Sequence, residues 1–140
     1  MSYNPIMVWL LYSPLHRIIS GITMVIQYTG RKSGKQYRLP IGYLRVGDTL
    51  LTTSLKRRKW WRNLRGGAQV ILRLKGKDVT GYSTTIEDEQ GVMEGIMAFI
   101  NKDRKTARMF GVKPDMSGQV EAETLRQSAS GRVIVRTTLK

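Results

Sequence analysis

Short apolar runs rich in β-branched residues, separated by glycine turns, dominate the chain between residues 22 and 86. Such runs, with successive side chains on opposite faces, are typical of β-strands. The pattern predicts six strands, at residues 22–28, 36–46, 49–55, 69–74, 78–86 and 132–139. The fourth and fifth form a predicted hairpin, and Pro40 predicts an edge, a bulge or a bend in the second.

The spacing of apolar residues becomes helical after residue 86. The predicted helices lie at residues 92–100, 104–110 and 122–129, and a glycine follows each of the last two. Ahead of the first helix, Thr85 with Asp88 three residues later resembles a capping box. Short strands with helices inserted late favour a small antiparallel barrel with peripheral helices, a mainly β fold of the α+β class.

Residues 1–21 predict an N-terminal helix packed outside this barrel. Its apolar run, Ile6–Tyr12, is too short to span a bilayer. The segment also lacks the basic start and the small-residue cleavage site of a signal peptide. We therefore expect a cytoplasmic protein, and Trp9 and Tyr12 leave open a peripheral contact with the inner membrane face.

The length of 140 residues predicts a single domain. Its expected parts are the N-terminal helix at 1–21, the barrel strands and binding motifs at 22–86, helices at 87–130 and a closing strand at 131–140. The absence of cysteine excludes disulfides, iron–sulfur clusters and thiol nucleophiles. Because His16 is the single histidine and the carboxylates are scattered, neither a metal site nor a Ser-His-Asp set is predicted.

Positive charge is concentrated in the first part of the chain. Residues 1–86 hold 15 Lys and Arg against 2 Asp, whereas residues 87–140 hold 9 against 8 acidic residues, within a net charge of +14. Such a field attracts an anion. Phosphate, polycarboxylate, nucleic acid and anionic lipid are therefore the candidate partners.

A glycine-bracketed turn, Gly30–Lys35, lies within this basic region. Its side chains able to bind an anion are Arg31, Lys32, Ser33 and Lys35. Because glycine permits φ > 0, backbone N–H groups of the turn can also converge into a nest around an anion. The turn is not a Walker A loop, since only three residues separate its glycines and Gln36 follows the lysine.

A second basic segment, Lys56–Arg65, surrounds Trp60 and Trp61. Adjacent residues on a helix point about 100° apart, so we expect one Trp in the core and the other either covering a ring system or packing under a loop. Asn63 suits a cap or an amide contact with a ligand. The preceding strands carry further residues that can line a pocket, namely Tyr37, Arg38, Tyr43, Thr52, Thr53 and Ser54.

Taken in order, these motifs resemble the deazaflavin-dependent nitroreductase family, which includes quinone reductases. The motifs that carry the resemblance are Thr29–Lys35, Leu39–Pro40, Tyr43–Arg45 and Trp60–Arg65, within a match from about Ile22 to Leu74. The family consists of small split β-barrels of the FMN-binding, pyridoxamine-phosphate-oxidase-like type, so the resemblance implies that fold. Many members carry a Tyr two residues after the Pro, where Gly42 stands here, and a longer loop before the Trp segment.

The resemblance implies a place for each motif residue around a cofactor. The positions that contact its phosphate or acidic tail are matched by Arg31, Lys32 and Ser33. The strand beside the deazaflavin is matched by Arg38, Leu39, Pro40 and Ile41, and the strand near the ring by Thr52, Thr53 and Ser54. The segment that closes the pocket is matched by Trp60, Trp61 and Asn63. Lys35 completes the predicted cofactor-binding set, and Tyr43 and Ser54 are the catalytic candidates.

The expected activity is hydride transfer from reduced coenzyme F420, a deazaflavin, to a quinone, a nitroaromatic or a similar conjugated acceptor. FMN is the alternative cofactor, a cofactor carrier is an alternative role, and a homodimer is common in such barrels. Hydride transfer needs positioning and exclusion of water rather than a protein nucleophile, which agrees with the lack of cysteine. The rival hypothesis is a basic nucleic-acid-binding module with Trp60 and Trp61 as stacking platforms.

Salt separates the two hypotheses. Each phosphate contact with DNA lowers log K by about 0.7 to 0.9 per unit of log salt, whereas burial protects a compact cofactor from screening. We expect F420 or FMN to stay bound at micromolar affinity in about 0.3 M salt, while binding of random single-stranded DNA largely disappears. Titrations of both ligands against salt measure this, and DNA binding that persists without cofactor binding would favour the nucleic-acid hypothesis.

Overall fold

A computed structural model describes residues 23–140 of the chain. Its strands are β1 (Thr23–Thr29), β2 (Gln36–Gly42), β3 (Leu44–Val46), β4 (Thr49–Leu55), β5 (Ala68–Leu74), β6 (Lys77–Ile86) and β7 (Arg132–Leu139). Its helices are a 3-10 helix (Trp60–Leu64), α1 (Glu89–Lys102), α2 (Thr106–Met109) and α3 (Ala122–Ser130). The predicted N-terminal helix and its membrane contact lie outside the described residues. Within residues 23–140, no helix has both the length and the apolar character that crossing a membrane requires.

All seven strands form one antiparallel sheet in the order β2-β1-β5-β6-β7-β4-β3. The two edge strands, β2 and β3, are separated along the chain by Tyr43 alone. Both edges of the sheet therefore meet at this residue, so the sheet must curl on itself. The prediction of a mainly antiparallel β fold with peripheral helices is confirmed.

The second predicted strand is in fact two strands, broken at Tyr43. Pro40 lies in β2 opposite Val25 of β1, and the other side of β2 has no ladder partner among the described strands. Because proline cannot donate a backbone hydrogen bond, an edge strand is where it is tolerated. The edge position predicted from Pro40 is thus confirmed, and the break explains why the sheet has seven strands rather than six.

Two cores lie on opposite faces of the sheet. Inside the curl, buried strand residues pack against both tryptophans of the 3-10 helix, and the helices α1 and α3 cover the outer face. Strand β7 contributes to both cores, because Val133 and Val135 face inward while Ile134 faces the helices. All three are fully buried. Strand β7 therefore lies between the two cores, and its first residue, Arg132, lies beside the helical layer.

The predicted capping box at Thr85 and Asp88 is wrong. Thr85 belongs to β6, where it pairs with Val135, and its hydroxyl donates to the Glu87 carboxylate. The helix N-cap is Asp88, whose carboxylate accepts a hydrogen bond from the Gly91 amide at 2.8 Å. Because β6 continues to Ile86, the backbone of Thr85 is committed to the sheet and cannot begin a helix.

Candidate functional site

Two clefts meet at the side chain of Trp60. The first, here the turn cleft, has a volume of about 640 Å³ and lies between residues 30–33 and residues 59–63. The second, here the strand cleft, has a volume of about 430 Å³ and lies between residues 39–41 of β2 and residues 53–55 of β4. Trp60 lines both of them, so the indole forms a shared wall.

A hydrogen bond to β4 holds Trp60 in place. Its Nε1–H donates to Ser54 Oγ at 2.9 Å, and the Ser54 hydroxyl donates to the Leu55 carbonyl at 3.1 Å. Only 2% of Trp60 is exposed. Ser54 lines the strand cleft, but its hydroxyl is used to position the indole rather than left available to a substrate.

The amide of Asn63 joins the glycine turn to the 3-10 helix. Its Oδ1 accepts from the Arg31 backbone N–H at 3.0 Å, and its Nδ2 donates to the Trp60 carbonyl at 3.0 Å. The Arg31 guanidinium donates to the Arg65 carbonyl and strengthens the same connection. Both walls of the turn cleft are therefore parts of one hydrogen-bonded unit.

Four backbone amides of the turn donate to other groups of the protein, so they do not form the predicted anion nest. Those amides, of Gly30, Arg31, Gly34 and Lys35, donate to the Lys35 carbonyl, Asn63 Oδ1, the Gly30 carbonyl and Ser33 Oγ. Of the two glycines, only Gly34 adopts a positive φ, of 72°. These four N–H groups are used within the fold, so binding of an anion at the turn depends mainly on its side chains.

Those side chains create an unneutralised positive region. Lys32, Lys59 and Arg62 line the turn cleft, and within residues 23–140 none of them forms an ion pair with a carboxylate. Among residues 23–140, no acidic side chain lines either cleft. Charges of one sign beside low-dielectric walls focus the field on a cleft, so this one favours an anionic ligand.

The inner wall of the turn cleft is aromatic. Tyr28 stacks on Tyr37 with 5.6 Å between ring centroids and 23° between ring planes, and it meets Trp60 at 6.1 Å. Burial, with a smaller contribution from neighbouring Tyr37, raises the pKa of Tyr28 to about 12. The Tyr28 phenol is therefore neutral at physiological pH and presents a flat surface rather than an acid or base.

The strand cleft combines an apolar slot with a guanidinium. Leu39, Pro40 and Ile41 form one side and Thr53 the other, while Met109, Phe110 and Arg132 close it from the helical layer. Sequence reasoning missed these last three residues. They lie far along the chain from the motifs: Arg132 enters the site because β7 pairs with β4, and Met109 and Phe110 enter it through the packing of the helical layer.

Several predicted site residues line neither cleft, namely Lys35, Arg38, Tyr43, Thr52 and Trp61. Thr52 is fully buried and its hydroxyl donates to the Val135 carbonyl at 3.4 Å, while Trp61 packs in the inner core with Arg65 5.0 Å from its ring. Arg38 is exposed and donates to Gln27 Oε1 at 3.4 Å. Tyr43 is half-buried at the strand break, and burial raises its pKa.

The predicted residues that do line the clefts fall into two groups. Those at the turn cleft are Arg31, Lys32, Ser33, Trp60 and Asn63, and those at the strand cleft are Leu39, Pro40, Ile41, Thr53, Ser54 and Trp60. A cationic cleft that meets an apolar slot at an indole suits a ligand with an anionic end and a flat ring.

Comparison with known proteins agrees with this geometry. Residues 15–98 match the family model described as F420H(2)-dependent quinone reductase. The chain belongs to this family. A member of the F420H(2)-dependent quinone reductases is an oxidoreductase of the deazaflavin-dependent type, as the sequence motifs indicated. No curated protein matches the chain.

Solved structures support the fold at low sequence identity. A proposed pyridoxamine 5'-phosphate oxidase from Listeria innocua aligns with a TM-score of 0.57 at 14% identity, over 90% of each chain. The FAD and heme binding protein from Mycobacterium smegmatis aligns at 0.56 and 14%, over 92% of this chain and 67% of its own. A pyridoxamine 5'-phosphate oxidase-related, FMN binding protein from Nostoc punctiforme aligns at 0.52 and 11%, over 99% and 83%. The predicted split β-barrel is confirmed.

Removing the Asn63 amide should separate the two walls of the turn cleft. Asn63→Ala loses both hydrogen bonds and leaves the Arg31 amide without its acceptor, so we expect a loss of about 1–3 kcal/mol in the free energy of unfolding. Urea unfolding followed by Trp fluorescence measures it. The matched control is Asn101→Ala, at an exposed position of α1, which should change stability by less than about 0.5 kcal/mol. Equal effects of the two substitutions would contradict the role given to Asn63.

Proposed function

We propose that this protein binds coenzyme F420 across the two clefts and passes hydride from the reduced cofactor to a quinone. The observation that supports it is the junction at Trp60, where an unneutralised cationic cleft continues into an apolar slot. The phosphate and polycarboxylate tail would bind Arg31, Lys32 and Ser33, and the ring would lie against β2 and Thr53. Charge-assisted hydrogen bonds suit the tail, and apolar walls suit the ring.

The bound deazaflavin would supply hydride, and the chain would position it and exclude water. Pro40 presents no N–H, so β2 offers the ring an apolar surface at that point. Trp60 and Phe110 close the slot from two sides. Ser54 acts through Trp60 as a positioning residue, since its hydroxyl is already hydrogen bonded on both sides. Tyr43 lines neither cleft, and we assign it no step.

FMN is the alternative cofactor, and nitroaromatics are the alternative acceptors. FMN shares the flat ring and the phosphate but lacks the polycarboxylate tail, so the additional cations Lys59 and Arg62 at the turn cleft favour F420. A nitroaromatic has the size and flatness of a quinone and would enter the same slot. The cofactor-carrier role would use the same clefts without an acceptor.

A nucleic-acid-binding role has less support. Its proposed stacking platforms, Trp60 and Trp61, are only 2% and 1% exposed. Aromatic side chains that bind single strands must present an open face to the bases. With so little exposed surface, neither tryptophan presents such an open face.

Lys32 tests the assignment of the anionic tail. Lys32→Ala should weaken F420 binding by about tenfold or more, because a hydrogen bond to a charged group contributes roughly 1.5–3 kcal/mol. Fluorescence titration of F420 measures the affinity, and urea unfolding checks that the fold is kept. The charge-matched control is Lys77→Ala, at an exposed position that lines neither cleft. Unchanged affinity in Lys32→Ala would reject this site for the tail.

Turnover tests the reaction itself. Reduced F420 mixed with the protein and a soluble naphthoquinone should regain the absorbance of the oxidised deazaflavin faster than without protein. Binding of F420 without any such acceleration, across several quinones and nitroaromatics, would leave the carrier role and overturn the reductase proposal.

A further inference from the structure

Arg132, the first residue of β7, places a positive charge against the strand cleft. Its Nη1 donates to Ser128 Oγ at 2.9 Å and to the Ser128 carbonyl at 3.3 Å. Its guanidinium carbon also lies 5.3 Å from the centroid of the Phe110 ring. These contacts fix the guanidinium on the rigid junction between α3 and β7.

This cation has no acidic partner within residues 23–140. Its only hydrogen bonds to described residues come from Nη1, so Nε and Nη2 keep their donors for another group. Burial lowers the pKa of the Arg132 guanidinium, although arginine stays charged at neutral pH. A partly desolvated charge without a counter-ion is costly, and an anion that enters the cleft offsets that cost.

A second cation that lines the strand cleft is Arg58, which is exposed. No acidic side chain from the described part of the chain lines the cleft. Since the proposed phosphate and tail positions lie in the turn cleft beyond Trp60, these two arginines are not needed to bind the cofactor's charges there. They remain available to the acceptor that would share the strand cleft with the deazaflavin ring.

We propose that Arg132 makes the strand cleft selective for quinones that carry an anionic substituent, such as a carboxylate, a sulfonate or an ionised hydroxyl. The proposal rests on the proposed function and names the class of acceptor. Nε and Nη2 of Arg132 bind the anionic oxygens as a two-pronged donor, and Arg58 adds attraction at the entrance. Arg132 is thus a positioning residue that sets specificity.

The reaction balances without any group from Arg132. The reduced deazaflavin loses a hydride and is oxidised, the quinone gains the two electrons and one proton as the quinol anion, and water supplies the second proton. The anionic substituent keeps its charge throughout. Because that charge does not change, the pairing with Arg132 is equally strong before and during hydride transfer, so the expected effect falls on KM more than on kcat.

The experiment compares a naphthoquinone that carries a carboxylate side chain with its methyl ester, which has the same ring but no charge. The wild-type protein should show a KM for the carboxylate at least about tenfold below that for the ester, the scale of one charge-assisted interaction. Arg132→Gln should abolish this preference, and Arg132→Lys should retain part of it because the charge stays while the fork is lost. The control is Arg136→Gln, an exposed arginine on the same strand, which should preserve the preference.

Binding of the acceptor and of the cofactor is also measured without turnover. Quenching of the intrinsic tryptophan fluorescence by the carboxylate quinone reports binding of the quinone, and it should weaken in Arg132→Gln but not in Arg136→Gln. F420 titration should give the same affinity in all variants. Turnover without preference for the carboxylate, or quenching insensitive to Arg132, overturns the proposal while the proposed function stands. Loss of F420 affinity in Arg132→Gln overturns it as well, since Arg132 would then bind the cofactor. Failure of F420 to bind the wild-type protein rejects the proposed function instead.

Discussion

The connection through Tyr43 is the constraint on which the rest of the structure depends. One residue separates β2 from β3, yet these strands lie at opposite edges of a seven-stranded sheet. The sheet can satisfy both facts only by curling until its edges meet. Pro40 then keeps β2 an edge strand, and the open side between β2 and β4 becomes the strand cleft. A slot of this kind is a consequence of closing the barrel incompletely.

The 3-10 helix turns that opening into a divided site. It inserts Trp60 and Trp61 into the inner core, and Asn63 ties it to the glycine turn on the other side. Because the Trp60 indole is fixed by Ser54, the cationic and apolar regions stay separate but adjacent. A ligand with a charged tail and a flat ring can satisfy both at once. The family of F420H(2)-dependent quinone reductases, to which the chain belongs, uses a cofactor of that shape.

The sequence predicted the strands well where one residue pattern dominated. The predicted bounds of β4 (Thr49–Leu55) and β7 (Arg132–Leu139) agree with those observed. Thr52, which the resemblance places on the strand near the ring, is fully buried and lines neither cleft, because alternation along a strand does not show what covers each of its faces. The predicted capping box at Thr85 is wrong because β6 pairs with β7 as far as Ile86, one residue beyond Thr85.

The candidate site was predictable where its residues belong to the motifs, and not where they come from the helical layer or from β7. Arg31, Lys32 and Ser33 are neighbours on one turn, and their shared cleft follows from short-range geometry. Arg132 and Phe110 carry no motif, and their position depends on strand pairing and helix packing between distant parts of the chain. The residues that we propose select the acceptor therefore become visible only in the folded protein.

A crystal structure of the protein with F420 bound would locate both ends of the cofactor at once and so test whether it spans the two clefts. We expect the phosphate within hydrogen-bonding distance of Arg31 or Lys32 and the deazaflavin ring between β2 and β4, in contact with Trp60. A ring bound outside the strand cleft, or a phosphate and tail held away from the glycine turn, would contradict it.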